Sequence, residues 1–228
     1  MPQQLTWGGL PVPYVTLWSS EIANPPRLTH RAVGTFRGIG YQDEDPRADR
    51  DPETGALLGR HLLAPGRGHP VFIDMNGPRQ RRAIRHMLCQ ICGRPDLMRL
   101  AGGRSLYVLG SSAPITEGET TTAPSVHPAC ALKAIEHCPP LRRDHAAALV
   151  KFSPVWGVAG VVYDPATLAP RSPVPDPSRL PHVREDSPDI PWTLAAFTVI
   201  SLHGITPVSP TEIGELAARE AALSSPTP

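Results

Sequence analysis

Lysine is almost missing from this sequence: Lys133 and Lys151 stand alone, and the other 20 of its 22 basic residues are arginines. That skew points first to a GC-rich genome and only second to arginine-driven anion binding. Aromatics are scarce at 5%, yet hydrophobic residues make up 40%, enough for a core. The formal net charge is only +1, which excludes an overall field drawing the chain to nucleic acid or anionic lipid. No run of about 18 apolar residues is present, so no membrane-spanning helix is expected. The first twenty residues lack the basic start and apolar run of a signal peptide. The chain starts at Met1 and is expected to be a complete, cytoplasmic product. In a reducing compartment its four cysteines suggest metal binding or catalysis rather than disulfides.

Proline, by contrast, is abundant: 29 of 228 residues, against a usual share of about 5%. Its fixed φ and missing amide donor disfavour long helices and wide sheets. The expected fold is therefore α+β, with short strands and helices joined by long proline-rich loops. Three segments follow from composition: a β-rich part over 1–75, a middle module over 76–152, and strands with a final helix over 153–223. Together they are expected to form one compact domain.

Strands are expected at 10–17 as an edge, and at 33–41, 71–74, 104–109 and 155–163; residues 193–202 read as a buried strand or a short helix, with Thr198 and Val199 favouring strand. Residues 42–58 carry many charges and read as a solvated loop. Asn76 or Gly77 can cap a helix whose first turn holds Pro78 and whose apolar face is Ala83, Ile84, Met87 and Leu88. Pro128 opens a helix to His137, and Pro139-Pro140 ends it. Residues 142–151 are expected to form a further short helix. Ser209-Pro210-Thr211-Glu212 is a capping box for a last helix reaching about Leu223, with a disordered tail from Ser224.

The strongest chemical signal is Cys89-Gln90-Ile91-Cys92-Gly93, followed thirty-four residues later by His127-Pro128-Ala129-Cys130. A two-residue spacer lets two thiolates face one ion at about 2.3 Å. Gly93 permits the positive φ of a tight metal turn. His127 and Cys130 sit at i and i+3 across a helix start and converge, and the helix N-terminus favours thiolate over thiol. The expected ligands of a zinc ion are Cys89, Cys92, Cys130 and, favoured for the fourth place, His127. Cys138 is the competitor, but it lies eight residues past Cys130, about 12 Å along an unbroken helix. Four protein ligands close the shell, so the zinc is expected to be structural.

The order of knuckle, strand and ligand-bearing helix resembles a treble-clef zinc module over about 86–140. One nuclease class uses that module with a general-base histidine between the ligand pairs. No histidine lies between Cys92 and His127. Zinc deaminases need a proline before their first cysteine, and here Leu88 occupies that place. Arg79-Gln80-Arg81-Arg82, the Cys89–Pro95 segment, Trp18-Ser19-Ser20-Glu21 and Gly38-Ile39-Gly40-Tyr41 together resemble a group of uncharacterised actinobacterial proteins, over about 10–145. That resemblance implies a source and a zinc site but no catalytic residue. The group carries a second Cys-x-x-Cys where this chain has His127 and Cys130, which leaves the fourth ligand open.

Arg79, Arg81, Arg82, Arg85, Arg94, Arg99 and Arg104 face one nearby acid, Asp96. Arg81, Arg82 and Arg85 are candidates to bind nucleic acid or an acidic protein; a solvated helix face is the plainer reading. Two functions are therefore expected: a zinc-stabilised binding or regulatory protein, or an enzyme in which zinc only staples the fold. For the enzyme, the candidates are His69, His182, Asp186, Asp189 and His203. Whether the chain is an enzyme at all, and its oligomeric state, are left open by the sequence.

Overall fold

The computed structural model describes residues 4–22, 27–33, 35–96, 103–172 and 180–224. The chain is α+β, as expected from the sequence. In chain order the strands are β1 (Thr6–Trp7), β2 (Leu10–Pro11), β3 (Thr16–Trp18), β4 (Leu28–Val33), β5 (Phe36–Tyr41), β6 (Leu57–Leu58), β7 (Pro70–Met75), β8 (Ser105–Leu109), β9 (Thr120–Thr121), β10 (Ala146–Val150), β11 (Val155–Val162), β12 (His182–Arg184), β13 (Thr193–Ser201) and β14 (Thr206–Pro207). The α-helices are α1 (Pro46–Asp49), α2 (Gly77–Arg85), α3 (Pro128–His137), α4 (Pro139–Arg143) and α5 (Pro210–Ser224). Among the described residues, no helix is long and apolar enough to cross a membrane.

The chain forms two compact units, each built from separated stretches of sequence. The first comprises Met1–Val15, Arg79–Pro154 and Ile200–Pro228. Its sheet is antiparallel, with β10 between β8 and β14. A helix was expected over 142–151, and the structure corrects this. The helical turn of α4 ends at Arg143, and Ala146–Val150 is the central strand. Alanine is the strongest intrinsic helix former, but propensity is a weak prior, and pairing on both edges outweighs it. One apolar cluster joins Leu106 and Val108 of β8 to Ala131 of α3 and Ile213 of α5, with Cys89 and Val126. A second holds Tyr107, Ala148, Val150, Ile200 and Leu202.

The second unit comprises Thr16–Pro78 and Val155–Val199. Here β11 lies between β12 and β13, and β6 joins β13 in parallel through Leu57 and Leu194. A β4–β5 hairpin and a β3–β7 pair complete it. The expected solvated loop at 42–58 is also corrected. Asp49 and Asp51 are buried at 6% and 5% exposure. Arg60 pairs with Asp49 at 2.6 Å and with Asp43 at 3.0 Å, while Arg50 pairs with Glu44 at 2.7 Å. Glu44 and Asp49 are satisfied by arginines of the same unit, and Asp51 Oδ1 accepts from the Glu53 and Thr54 amides and the Thr54 hydroxyl, while Asp43, Asp45 and Glu53 stay exposed.

The expected strand at 10–17 is split. Pro11 and Pro13 lack amide donors, and only β2 and the start of β3 fall within it. The other long strands follow the sequence reading, and β4 was not foreseen. Helix α5 begins at its capping box: Ser209 N–H donates to Glu212 Oε2 at 2.7 Å and Glu212 N–H donates to Ser209 Oγ at 3.3 Å. The tail from 225 lies outside the described residues.

Candidate metal centre

Helix α2 delivers the chain to the first cysteine pair through a tight stop. It ends at Arg85, short of the expected Leu88. Met87 takes a left-handed φ of 51°. Leu88 N–H then donates to Ala83 O at 2.8 Å and Met87 N–H to Ile84 O at 3.2 Å. These two bonds are the Schellman closure of a helix, with methionine where glycine is usual. Cys89 follows immediately.

The Cys89–Gly93 segment is a knuckle. Gly93 N–H donates to Cys89 O, and Cys89 N–H donates to Arg94 O, both at 2.8 Å. Gly93 has φ +68°, and a Cβ there would meet the Tyr14 ring at 2.7 Å. Residues 12–15, freed from the expected strand, brace this loop. Tyr14 N–H donates to Ile91 O at 2.9 Å and Val15 N–H to Gln90 O at 3.2 Å. Tyr14 O in turn accepts from Arg79 Nε at 2.7 Å.

The second pair comes from the start of α3. Pro128 occupies the first helical position, and His127 is the residue before it. Ligand atoms of Cys89, Cys92, His127 and Cys130 all lie within 4.8 Å of one another, close enough to hold a metal ion. Among the described residues this is the one such group. With metal–sulfur bonds near 2.3 Å and metal–nitrogen near 2.1 Å, tetrahedral ligand atoms sit roughly 3.5–3.8 Å apart. The 4.8 Å limit on the group encompasses that spacing. Cys138 caps the far end of α3 and is not in the group.

His127 is oriented by both ring nitrogens. Nδ1 faces Cys92 Sγ at 3.2 Å. Nε2 lies 2.8 Å from Pro95 O and 3.6 Å from Glu220 Oε1. The Nε2–H therefore donates to Pro95 O, leaving the Nδ1 lone pair for an ion. Cys89 Sγ accepts from the His127 amide at 3.4 Å. Burial would lower the His127 pKa, but contacts with Cys89 and Cys92 dominate and raise it to about 11. The Cys92 thiol is pulled far down by its sulfur neighbours Cys130 and Cys89, with His127 and Arg94 assisting. Cys130 is pushed up by the same two thiols, Cys89 and Cys92.

Glu220 of α5 was not legible in the sequence as part of this centre. It is 8% exposed. Burial raises its pKa against the pull of His127, and the Ala129 backbone at the start of α3 hydrogen-bonds its carboxylate. The last helix is thereby tied to the ligand-bearing one.

The arginine segment is divided. Arg79 is 7% exposed and spent on Tyr14. Arg94 is drawn to the Cys92 sulfur, and Arg104 donates to Thr206 Oγ1. Arg82 and Arg85 are exposed on α2, and Arg81 is half-buried. Arg99 lies outside the described residues. Among the described residues the five enzyme candidates have separate partners. His182 packs beside Trp156, Asp186 pairs with Arg184 and Asp189 with Arg171, and His69 is exposed. His203 instead contacts Glu117 and Ser201.

No family model matches this sequence, and comparison with curated proteins and with solved structures returns no match.

Proposed function

We propose that this chain is a zinc-stapled binding protein, with Cys89, Cys92, His127 and Cys130 as the ligands of one structural Zn²⁺ ion. The observation that carries this is the mutual approach of all four ligand atoms within 4.8 Å. Three sulfurs and one imidazole suit zinc, and four protein donors leave no position for a catalytic water. The succession of knuckle, β8 and α3 supports a treble-clef-like module over about 86–140. It also fits the proposed kinship with the actinobacterial group.

Binding is assigned to α2, which carries the exposed Arg82 and Arg85 beside the half-buried Arg81. Their chemistry suits an anionic partner, either nucleic acid or an acidic protein. The staple is tested by chelation of the purified full chain, followed by amide hydrogen exchange. Loss of metal is expected to raise exchange most over 86–140, and unchanged exchange there would refute the structural role. The surface is tested by gel shift and by pull-down with Arg81, Arg82 and Arg85 replaced together by alanine. Binding unaffected by that change in both assays would remove the assignment.

A further inference from the structure

Away from the metal centre, the first unit gathers a serine, a histidine and a glutamate into one chain of hydrogen bonds. Ser201 closes β13, and His203 follows two residues on. His203 Nε2 lies 3.0 Å from Ser201 Oγ. His203 Nδ1 lies 3.0 Å from Glu117 Oε1. A carboxylate at Nδ1 fixes the proton there, so Nε2 presents its lone pair to the serine hydroxyl. Glu117 is itself held, accepting from the Gly204 amide at 3.0 Å and the Ile205 amide at 3.4 Å.

Phe152 holds the histidine by both backbone and ring. Its backbone bridges to Phe152, with His203 N–H donating to Phe152 O at 3.0 Å. The Phe152 ring stacks on the imidazole at 4.9 Å with a 9° interplanar angle. Phe152 remains 48% exposed, so its free face offers an apolar wall beside the base. The His203 side chain is 27% exposed and Ser201 6%. Ser201 is thus open to a small group at most.

We propose that Ser201, His203 and Glu117 form a nucleophile relay for acyl transfer from small carboxylic esters carrying an apolar group. The arrangement is nucleophile, base and positioning residue within hydrogen-bond reach. His203 Nε2 takes the Ser201 hydroxyl proton as Oγ attacks the ester carbonyl carbon. Glu117 stabilises the imidazolium through Nδ1–H. The carbon–oxygen bond to the alcohol breaks, the alkoxide takes the proton from Nε2, and acyl-Ser201 remains. Water, deprotonated by Nε2, then attacks that acyl group, releasing the carboxylic acid and returning the proton to Ser201 Oγ.

The test uses the full, metal-loaded chain with p-nitrophenyl acetate and with a fluorophosphonate probe. The relay predicts one phosphonyl adduct per chain, mapped to Ser201. It predicts ester hydrolysis about 100-fold above that of Ser201→Ala and His203→Gln, the scale of a positioned base. Glu117→Gln is expected to retain part of the rate and to shift the acid limb of the pH profile to lower pH. A clasp that merely holds the turn would not move that limb. Metal content and melting temperature of each variant report folding. The Ser201→Cys variant guards against an unfolded alanine variant, since His203 would make its new thiol alkylate at least tenfold faster than Cys138. Absence of an adduct at Ser201, hydrolysis by Ser201→Ala at the unmodified rate, or a new thiol in Ser201→Cys that alkylates no faster than Cys138 would each overturn the proposal.

Discussion

Replacing Gly93 with alanine probes the knuckle most sharply. Two costs add at this position. The first is conformational: φ is +68°, and a Cβ in that region costs about 1–2 kcal/mol. The second is steric. The new methyl would meet Tyr14 Cδ2 at 2.7 Å, Cγ at 2.8 Å and Cε2 at 3.2 Å. Tyr14 cannot simply slide away, because its amide is bound to Ile91 O and its carbonyl to Arg79 Nε. Forcing an extra methyl into such a contact costs about 1–3 kcal/mol. The sum is about 2–5 kcal/mol. Gly55 supplies the control: its φ is +74° with nothing within 4 Å of a Cβ, so Gly55→Ala should cost only about 1–2 kcal/mol. Urea denaturation of the metal-loaded chain measures both. A Tyr14→Ala background should reduce the Gly93→Ala cost to the conformational part. Equal costs at Gly93 and Gly55, with no relief in the Tyr14→Ala background, would refute the bracing of the knuckle by residues 12–15.

Cys130→Ser should abolish stoichiometric metal binding while Cys138→Ser leaves it unchanged, because Cys138 stands outside the ligand group; metal analysis of the two purified variants decides this. Arg79→Ala should cost about 1.5–3 kcal/mol, the worth of a charged donor bound to the half-buried Tyr14 carbonyl, whereas Arg82→Ala and Arg85→Ala should each stay within about 0.5 kcal/mol in thermal denaturation. The hydrogen bond from Arg60 holds the Asp49 carboxyl below its ordinary range, so its contribution to stability is present above about pH 4 and is lost as pH falls through the lowered value. Urea midpoints measured from neutral to acid pH should therefore decline less steeply in Arg60→Ala, which starts from a lower plateau. Burial pushes the Tyr41 phenol up to about 12, so its neutral form contributes stability that declines as pH rises from about 10, and Tyr41→Phe should remove that alkaline loss.

What the sequence revealed was whatever is encoded locally. Pro128 after His127 marks a helix start, Ser209 and Glu212 mark another, and Cys-x-x-Cys-Gly marks a knuckle, each within a handful of neighbouring residues. The α+β class and the long strands of β11 and β13 followed from runs of small and branched apolar residues. What failed to show depended on distant partners. Asp49 and Asp51 read as solvated because Arg60 and the burial around them are not local. Ala146–Val150 reads as helix until β8 and β14 flank it. Arg79 looked like surface charge, although it reaches Tyr14, 65 residues earlier. Glu220 meets His127 from the far end of the chain. Glu117 precedes its histidine by 86 residues, a separation at which no motif exists to be read.

The central claim is that one ion joins two distant cysteine-bearing segments with every coordination position filled by side chains. X-ray absorption at the zinc edge, combined with metal stoichiometry on the purified full chain, tests it most directly. The account predicts one zinc per chain with three sulfur neighbours near 2.3 Å and one nitrogen near 2.1 Å. A chain purified without metal, or a zinc spectrum requiring an oxygen neighbour in place of the histidine nitrogen or of any sulfur, would contradict it.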